Sequence, residues 1–289
     1  MKIAVFNDYR IGLVQGDEVY DVTEALPAFL NELPQQRMNW LIANWDSAAA
    51  ALTAQRERSQ AQPVSGVTLL APSPSPSHVF AAPANYQKHI GELGSRAITK
   101  AGRSARQQGF FLKAPGSLVG ASGGITLPRG SSRRFDHETE LAVIIGRHAR
   151  NVPRSEAMNY VFGYACLIDA TMRIEKDEFE EERSMRKSFE TFTPLGPYLV
   201  TADEVPDPQA LSNQLWVNGE LRQSANTVDM IVGVAELIEM ISSVLPLRPG
   251  DVIATGTPEG VGPFTAGDQV RIVIEGVGEM TLDLRECAQ

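Results

Sequence analysis

The chain has 289 residues, of which 43% are hydrophobic and 21% are charged, a composition typical of a globular protein with a sizeable core. Its formal net charge of -9 argues against nucleic acid as the main partner. No apolar run approaches the ~20 residues that cross a bilayer, and the start of the chain lacks the pattern of a secretory signal. We therefore expect no membrane span and a cytoplasmic protein.

The first part of the chain predicts a small α+β domain over residues 1–66. Short strands are predicted at KIAVF, RIGLVQG and DEVYDVT, and a helix at MNWLIANWDSAAAALTAQRER, where apolar residues recur at helical spacing. A stretch rich in Pro, Ser and Gly then runs from about Gln60 to Ser77 around the short strand VTLL, which indicates a linker.

Residues 67–289 predict a second, mainly β domain with few helices. Strands are predicted at HVFAAP, FFLKAP, ELAVIIG, VFGYACLIDAT, GPYLVT, QLWVNGE, DVIATG, QVRIVIEG and GEMTLDL. Helices are predicted at SEAMNYV, EKDEFEEERSMR and MIVGVAELIEMISSVL. Because the helices do not alternate with the strands, the pattern favours a β-roll or β-sandwich over a doubly wound sheet.

Acidic residues are concentrated in FDHETELAVIIG. Asp136, Glu138 and Glu140 occupy alternate positions and therefore share one face of a strand, whereas His137 takes the other face. A polar strand end facing solvent would explain this pattern, but a hard divalent cation bound through oxygen would also relieve the repulsion. Asp169 ends another apolar strand, where it would be either a further ligand or a cap.

A second candidate feature is the pair His89 and Glu92 in NYQKHIGELG. Residues three apart are neighbours on a helix, so the carboxylate could orient the imidazole as a general base. An exposed pair without catalytic function is the alternative. Zinc spacing is absent from the sequence.

Basic residues and a glycine-rich stretch are the remaining features. Arg96, Lys100, Arg103 and Arg106 would line one helical face, for which a solvated helix face is the simpler explanation. DVIATGTPEGVG follows a strand and offers backbone N–H groups and hydroxyls to an anion, although a tight turn is the simpler interpretation. It does not fit a nucleotide-binding motif.

Seven motifs stand in an order that resembles the fumarylacetoacetate hydrolase family, over about Val67 to Leu284. They are NYQKHIGE, FLKAPGSLVG, FDHETELAVIIG, VFGYACLIDATMR, KSFETFTPLGPY, VNGELRQSANTVDMI and LRPGDVIATGTPEGVG. Each motif alone is weak, whereas seven in order are hard to reconcile with chance.

The resemblance implies a β-roll catalytic domain of the fumarylacetoacetate hydrolase type, usually a homodimer, behind a small N-terminal α+β domain. It also implies a Mg²⁺ or Mn²⁺ site formed by Glu138, Glu140 and Asp169, which Ca²⁺ could also occupy in vitro. Asp136 is not among the usual ligands, so we expect it to affect the metal site indirectly.

The resemblance also implies the other site residues. His89 and Glu92 match the catalytic pair on a mobile lid, and Lys187 matches the catalytic lysine of the KSF motif. The predicted substrate-binding residues are Lys113, Arg173, Thr257 and Tyr86. Lys176 stands where some hydrolases carry a glutamine that contacts substrate, which leaves the substrate open.

The function that the resemblance implies is hydrolysis of a carbon–carbon bond in a 2,4-dioxo acid. An acylpyruvate such as fumarylpyruvate or maleylpyruvate, from aromatic or related catabolism, is the expected substrate, and Arg103 and Arg106 would close over a second carboxylate. An oxaloacetate-type decarboxylase, a hydroxymuconate-type isomerase and a sugar-acid dehydratase are alternatives on the same scaffold. An inactive metal-binding homologue is a further alternative, against which the presence of both His89 and Glu92 argues.

Overall fold

The computed structural model describes residues 1–93, 102–174 and 181–288. Arg96, Lys100 and Lys176, named above as candidate residues, lie outside the described residues. Within the described ranges, no helix combines the length and the apolar character that crossing a membrane requires.

Helices are short in the described part of the chain. They are α1 (Arg37–Ala43), α2 (Trp45–Arg56), α3 (Gln87–Leu93), α4 (Ala105–Gln108), α5 (Arg183–Lys187) and α6 (Val234–Val244). The helix predicted from Met38 onward is divided at Asn44, whose φ of -117° is not helical. The stretch SEAMNYV lies in a 3-10 helix rather than an α-helix, whereas the last predicted helix is confirmed by α6. The helix predicted at EKDEFEEERSMR begins outside the described residues, and α5 contains its last residues.

Strands form most of the regular structure. They are β1 (Lys2–Phe6), β2 (Arg10–Gln15), β3 (Glu18–Asp21), β4 (Ala61–Pro63), β5 (Leu69–Leu70), β6 (Val79–Ala81), β7 (Phe111–Lys113), β8 (Leu118–Val119), β9 (Ile125–Leu127), β10 (Phe135–His137), β11 (Thr139–Ile145), β12 (Val161–Ile168), β13 (Thr171–Met172), β14 (Thr193–Thr201), β15 (Ser212–Val217), β16 (Glu220–Asn226), β17 (Val252–Ala254), β18 (Gly262–Pro263), β19 (Gln269–Ile274) and β20 (Gly278–Glu286). The predicted mainly β fold with additional helices is confirmed.

Two larger sheets and a three-stranded sheet organise these strands. The main sheet has the order β4-β3-β2-β1-β14-β12-β11-β17-β6-β7, the second sheet β16-β15-β19-β20-β9, and the small sheet β13-β10-β18. On β11, Val143 packs in the core shared with the second sheet, whereas Ile144 packs in the core shared with α1 and α2. The alternation predicted for this strand is therefore confirmed.

Several strand ends converge at one edge of the main sheet. β11 and β12 are antiparallel with Thr139 opposite Ile168, so the start of β11 and the end of β12 coincide. β17 is antiparallel to β11, with Ala142 opposite Ala254, and β6 runs parallel to β17. The segments after β6, β12 and β17 therefore all emerge beside the residues that precede β11.

The N-terminal strands extend the main sheet. β1 pairs with β14 in antiparallel register, with Ile3 opposite Leu199, and β2 and β3 continue the sheet outward. Hydrogen bonds thus cross the boundary predicted between residues 1–66 and 67–289. The division into two domains stays a prediction.

Candidate metal centre and active site

Three buried carboxylates meet where β11 begins and β12 ends. One oxygen each from Glu138, Glu140 and Asp169 lies within 4.8 Å of the other two. The backbone N–H of Asp169 donates to the carbonyl of Glu138 at 2.9 Å, which fixes the two strand ends against each other. The structure therefore brings together the three predicted metal ligands.

Two buried lysines donate hydrogen bonds to these carboxylates and offset part of their negative charge. Lys187, at the end of α5, donates to Glu138 Oε2 at 2.8 Å and also to Asp169. Lys113, on β7, donates to the other carboxylate oxygen of Asp169. Both lysines were predicted at the site, and both contact predicted metal ligands.

Glu140 differs from the other two acids because no lysine or arginine pairs with it among the described residues. Its Oε2 accepts a hydrogen bond from the backbone N–H of Gly256 at 2.6 Å. Burial raises the pKa of Glu140 well above its usual range, and the negative charges of Asp169 and Glu138 raise it further. A further positive charge at the cluster would favour the ionised form.

The pKa of Glu138 is shifted in the opposite direction to that of Glu140. Burial alone would raise the pKa of this carboxyl, but the positive charges of Lys187 and Arg173 outweigh burial and hold the pKa below its usual range. The cluster thus offers buried oxygen donors, with negative charge held in place on Glu138. This donor set fits a hard divalent cation such as Mg²⁺ or Mn²⁺.

Asp136 contacts arginines rather than the cluster. Its carboxylate accepts from Arg134 Nε at 2.6 Å and from Arg173 Nε at 2.7 Å. The same Arg173 donates through Nη2 to Glu138 Oε1 at 2.6 Å. Asp136 therefore positions a guanidinium group that in turn positions Glu138, which agrees with an indirect role.

The predicted catalytic pair lies on α3. His89 is 5% exposed, and burial lowers the pKa of its imidazole although the negative charge of Glu138 acts in the opposite direction. Its Nδ1 lies 3.6 Å from Glu92 Oε2 and has no hydrogen-bond partner among the described residues. Glu92 Oε1 accepts from the backbone N–H of Gly260 at 2.7 Å, so this acid ties α3 to the segment after β17.

Two predicted substrate-binding hydroxyls are also buried. The hydroxyl of Tyr86 has no hydrogen-bond partner in the described part of the chain, and burial raises its pKa, as does the nearby charge of Glu140. Thr257 is 3% exposed, and its Oγ1 accepts from Gln223 Nε2 at 2.8 Å. Each hydroxyl retains a proton that it can donate to a ligand.

The sequence did not point to two buried amides that hold the site loops. Gln223, on β16, accepts from the backbone N–H of Thr139 at 3.1 Å and donates to Thr257. Asn85 donates to the carbonyls of Thr255 and Val232, each at 2.8 Å. Both residues lie inside recognised motifs, but residue type alone does not distinguish a buried structural amide from a surface one.

The basic residues predicted to form a lid have other contacts. Arg106 donates to both carboxylate oxygens of Glu236, at 2.7 and 2.9 Å, and its side chain is exposed. Arg103 is exposed, and its carbonyl accepts from Gln108 Nε2 at 2.6 Å. Their role in closing over a substrate stays a prediction.

A cavity of about 210 Å³ lies at the opposite end of β12, between α1, α2 and the segment after β14. Its lining includes Trp45, Asp46, Phe162 and Asp203. None of the predicted site residues contributes to this cavity, so it is separate from the carboxylate cluster.

The sequence is similar to that of known hydrolases. Residues 78–285 match the fumarylacetoacetate (FAA) hydrolase C-terminal family. A maleylpyruvate hydrolase from Aquipseudomonas alcaligenes is 46% identical over 291 residues, which cover 99% of each chain. The similarity therefore extends over the N-terminal strands as well as the carboxylate cluster.

Solved structures of related proteins superpose on this chain. The maleylpyruvate hydrolase from Sphingobium sp. SYK-6, in complex with manganese(II) ion and pyruvate, superposes with a TM-score of 0.87 at 39% identity and covers 100% of both chains. A 5-carboxymethyl-2-hydroxymuconate delta-isomerase from Mycobacterium smegmatis superposes with a TM-score of 0.74 at 28% identity, covering 99% of this chain and 100% of that one.

Proposed function

This chain belongs to the fumarylacetoacetate hydrolase family, and we propose that it is a divalent-metal-dependent hydrolase that cleaves a carbon–carbon bond in a 2,4-dioxo acid. The proposed substrates are acylpyruvates, with maleylpyruvate and fumarylpyruvate as the leading examples, in aromatic or related catabolism. The similarity over nearly the whole chain to maleylpyruvate hydrolases supports this substrate class.

The structural observation that carries the proposal is the position of an imidazole next to the carboxylate cluster. The segment after β17 donates to Glu140 through Gly256 and to Glu92 through Gly260, which supports one site that includes α3 and the carboxylate cluster. The charge of Glu138 also acts on the pKa of His89. His89 is buried, and its Nδ1 faces Glu92. Core packing does not account for these features, whereas general-base catalysis beside a metal ion does.

Glu138, Glu140 and Asp169 would hold the cation through one oxygen each. When bound, a divalent cation supplies Lewis-acid stabilisation of the negative charge that develops on the 2-oxo acid portion of the substrate. The manganese(II) ion in the related hydrolase supports Mn²⁺ as one candidate. We propose Mg²⁺ as the other, because all-oxygen ligands suit both ions.

The chain's own residues would perform the proton transfers and the positioning. His89 Nε2 takes a proton from water while the water oxygen bonds to the acyl carbon, and the carboxylate of Glu92, 3.6 Å from Nδ1, would stabilise the positive charge on the imidazole. The carbon–carbon bond then breaks, and its electron pair stays on the pyruvate carbon, which takes up a proton. The products are pyruvate and a carboxylic acid.

Three other side chains would assist this reaction. Lys187 stabilises developing negative charge, because its ammonium group is already fixed beside the ligands. The hydroxyls of Thr257 and Tyr86 donate to the carboxylate of the 2-oxo acid. These donors are positioned before substrate arrives, so little reorganisation is needed in the transition state.

Three further proposals concern the oligomeric state, the location and the domain division of the protein. We propose a homodimer, which is usual in this family, and a cytoplasmic location, which is consistent with a catabolic enzyme. The division into a domain over residues 1–66 and a catalytic domain over residues 67–289 is proposed on the composition of the segment between them, as a division along the sequence within one folding unit, because β1 pairs with β14.

A substrate screen tests the proposed reaction. The protein, loaded with Mn²⁺ or Mg²⁺, is supplied with acylpyruvates, oxaloacetate, a hydroxymuconate-type dienoate and sugar acids, and the products are identified. Pyruvate together with a carboxylic acid is expected from acylpyruvates. Carbon dioxide from oxaloacetate, or isomerised dienoate alone, would instead show one of the alternative activities on this scaffold.

A histidine variant tests the catalytic assignment. His89→Ala is expected to lower kcat by about 10²- to 10⁴-fold, because general-base catalysis contributes on that order, while Mn²⁺ affinity measured by calorimetry is retained. His148→Ala, at an exposed histidine, is the control and is expected to leave both quantities unchanged. Undiminished acylpyruvate hydrolysis by His89→Ala would remove His89 from the mechanism.

A further inference from the structure

Helix α5 carries three basic side chains near the carboxylate cluster. Arg183 and Arg186 are three residues apart and Lys187 is four residues from Arg183, so the three side chains leave neighbouring positions on the helix surface. Lys187 is buried and bound to Glu138 and Asp169. Arg183 and Arg186 are half-buried beside it.

Arg183 is held next to Lys187 by an aromatic ring and an amide. Its guanidinium carbon lies 5.6 Å from the centre of the Phe111 ring, and Lys187 Nζ lies 5.5 Å from the same centre. Its Nη2 donates to Gln108 Oε1 at 2.5 Å. Arg183 has no carboxylate partner among the described residues, so its charge is available to an anion.

Arg186 is fixed by backbone carbonyls. Its Nε and Nη1 donate to the carbonyl oxygens of Glu181 and Met172, each at 3.3 Å. The carboxylate of Glu181 is instead bound by Arg133 at 3.0 Å. Within the described ranges Arg186 also lacks a carboxylate partner.

Positive charge is crowded at this point of the fold. Burial lowers the pKa of Arg186, and the charges of Arg173 and Arg183 lower it further. Burial also lowers the pKa of Arg183, whereas the charges of Glu138, Glu182 and Asp169 act in the opposite direction. The charge of Glu138 acts on both guanidinium groups, which places both near the carboxylate cluster.

A count of charges indicates what these arginines would bind. Four acids are matched by four basic side chains that contact the same network, and these eight groups are Asp136, Glu138, Glu140, Asp169, Lys113, Lys187, Arg134 and Arg173. A divalent cation adds two positive charges and Arg183 and Arg186 add two more, whereas Glu182, whose charge acts on Arg183, removes one and leaves a surplus of three. A dicarboxylic 2-oxo acid with one further negative charge developing during reaction matches this surplus, whereas a 2-oxo acid with one carboxylate leaves one positive charge unmatched.

We infer that Arg183 and Arg186 form a subsite for a second carboxylate, at the acyl end of the substrate, and so select dicarboxylic acylpyruvates over monocarboxylic ones. Guanidinium groups suit this function because their planar donors bind carboxylate in a bidentate manner. This inference rests on the proposed function for the substrate class. It assigns the selection to α5 rather than to Arg106, whose guanidinium already binds Glu236.

The experiment compares substrates that differ in the distal carboxylate. kcat and KM are measured for maleylpyruvate and acetylpyruvate with Arg183→Gln, Arg186→Gln, the two lysine replacements at these positions and Arg106→Gln, all loaded with Mn²⁺. We expect KM for maleylpyruvate to rise at least tenfold in the glutamine variants, with acetylpyruvate changed less than about threefold. Lysine should restore part of the loss, because it keeps the charge without the planar donors.

A binding measurement on the same proteins needs no turnover. Maleate, the dicarboxylic product, is titrated into the Mn²⁺-loaded protein by calorimetry, and we expect at least tenfold weaker binding in both glutamine variants. Arg271→Gln is the control, because Arg271 is an exposed arginine paired with Glu279 in the second sheet. Circular dichroism confirms that each variant is folded.

Each outcome decides the inference. Equal losses for both substrates, or no loss for either, would overturn it, and selective loss in Arg106→Gln alone would transfer the subsite to the segment before β7. Failure of the unmodified protein to hydrolyse any acylpyruvate would refute the proposed function. The maleate titration would still decide the subsite, since absence of binding to the unmodified protein rules it out.

Discussion

Three acids with the same spacing acquire different partners in the folded chain. Glu138 is bound by Lys187 and Arg173, Glu140 by the backbone of Gly256, and Asp136 by Arg134 and the same Arg173. The periodicity of a strand is the same for all three residues. What distinguishes them is which neighbouring strand or helix supplies a partner, and this assigns Asp136 to positioning rather than to ligation.

At this scale we predict the effect of removing each carboxylate on metal binding. Glu138→Ala and Asp169→Ala are expected to abolish Mn²⁺ binding detectable by calorimetry, because each removes one of the three proposed oxygen ligands. Asp136→Ala is the matched control on the same strand segment. It should weaken binding by no more than about 10- to 100-fold, the range for residues that only orient a ligand.

The folding of these variants is checked by circular dichroism, because Lys187 and Arg173 lose partners in some of them. Unchanged Mn²⁺ affinity in Glu138→Ala would refute the ligand assignment. Complete loss of binding in Asp136→Ala would instead make Asp136 a ligand.

At the scale of elements, the segment after β17 is held by contacts that are distant in sequence. Thr257 is bound by Gln223 of β16, and Gly260 is bound by Glu92 of α3. The backbone N–H of Gly256 binds Glu140. A single segment therefore connects the acids proposed to bind metal, the proposed catalytic pair and a hydroxyl proposed to bind substrate.

Glycine is required at position 256 for two reasons. Its φ of +92° favours glycine, and a Cβ atom there would lie 2.6 Å from the Cβ of Asn85. Gly256→Ala should therefore lower stability by more than the roughly 1–2 kcal/mol typical of a left-handed conformation alone and weaken Mn²⁺ binding by displacing Glu140. Thermal unfolding and calorimetry measure the two effects.

A second glycine provides the matched control for this prediction. Gly267 has a φ of +94°, and no other atom lies within 4 Å of the position that a Cβ atom would occupy there. Gly267→Ala should show only the backbone cost and normal Mn²⁺ binding. Equal effects of the two substitutions would mean that contact with Asn85 and the link to Glu140 contribute nothing measurable.

At the scale of the whole molecule, the N-terminal strands and helices complete the fold of the catalytic part. β1 extends the main sheet from β14, and Leu41 and Leu52 of α1 and α2 share a core with Ile144 of β11. Ile144 lies on the same strand as Glu140. Support for the metal centre thus includes residues from the first 66 positions of the chain.

We therefore predict that the chain unfolds in one cooperative transition and that residues 67–289 alone do not form a stable monodisperse protein. Ile3→Ala, at a buried position of β1, should destabilise the whole chain by about 2–5 kcal/mol. Lys2→Ala, at an exposed position of the same strand, should cost about 1 kcal/mol or less. Denaturant unfolding and size-exclusion chromatography check these expectations.

A fragment over residues 67–289 that unfolds cooperatively by itself would contradict this prediction. It would also support the predicted boundary at residue 66 as the edge of an independent domain.

The fold class and the alternation of β11 were predicted from the sequence, because strand periodicity depends on the backbone geometry of individual strands. Periodicity left Asp136, Glu138 and Glu140 as equal candidates, and the resemblance carried by seven motifs in order selected Glu138 and Glu140 together with Asp169. The division of the helix near Asn44 and the 3-10 helix at Arg154–Tyr160 were not foreseen, because tertiary packing overrides weak helix propensity in short segments.

Only the tertiary structure decided which charges pair. Arg106 binds Glu236 on α6, Arg183 lies beside Lys187, and Gln223 of β16 holds Thr257. These contacts join residues far apart in the chain, and each depends on the register and packing of separate elements. Spacing along the sequence carries no information about such distances, so the role of a charged or amide side chain becomes defined only when the fold supplies its neighbours.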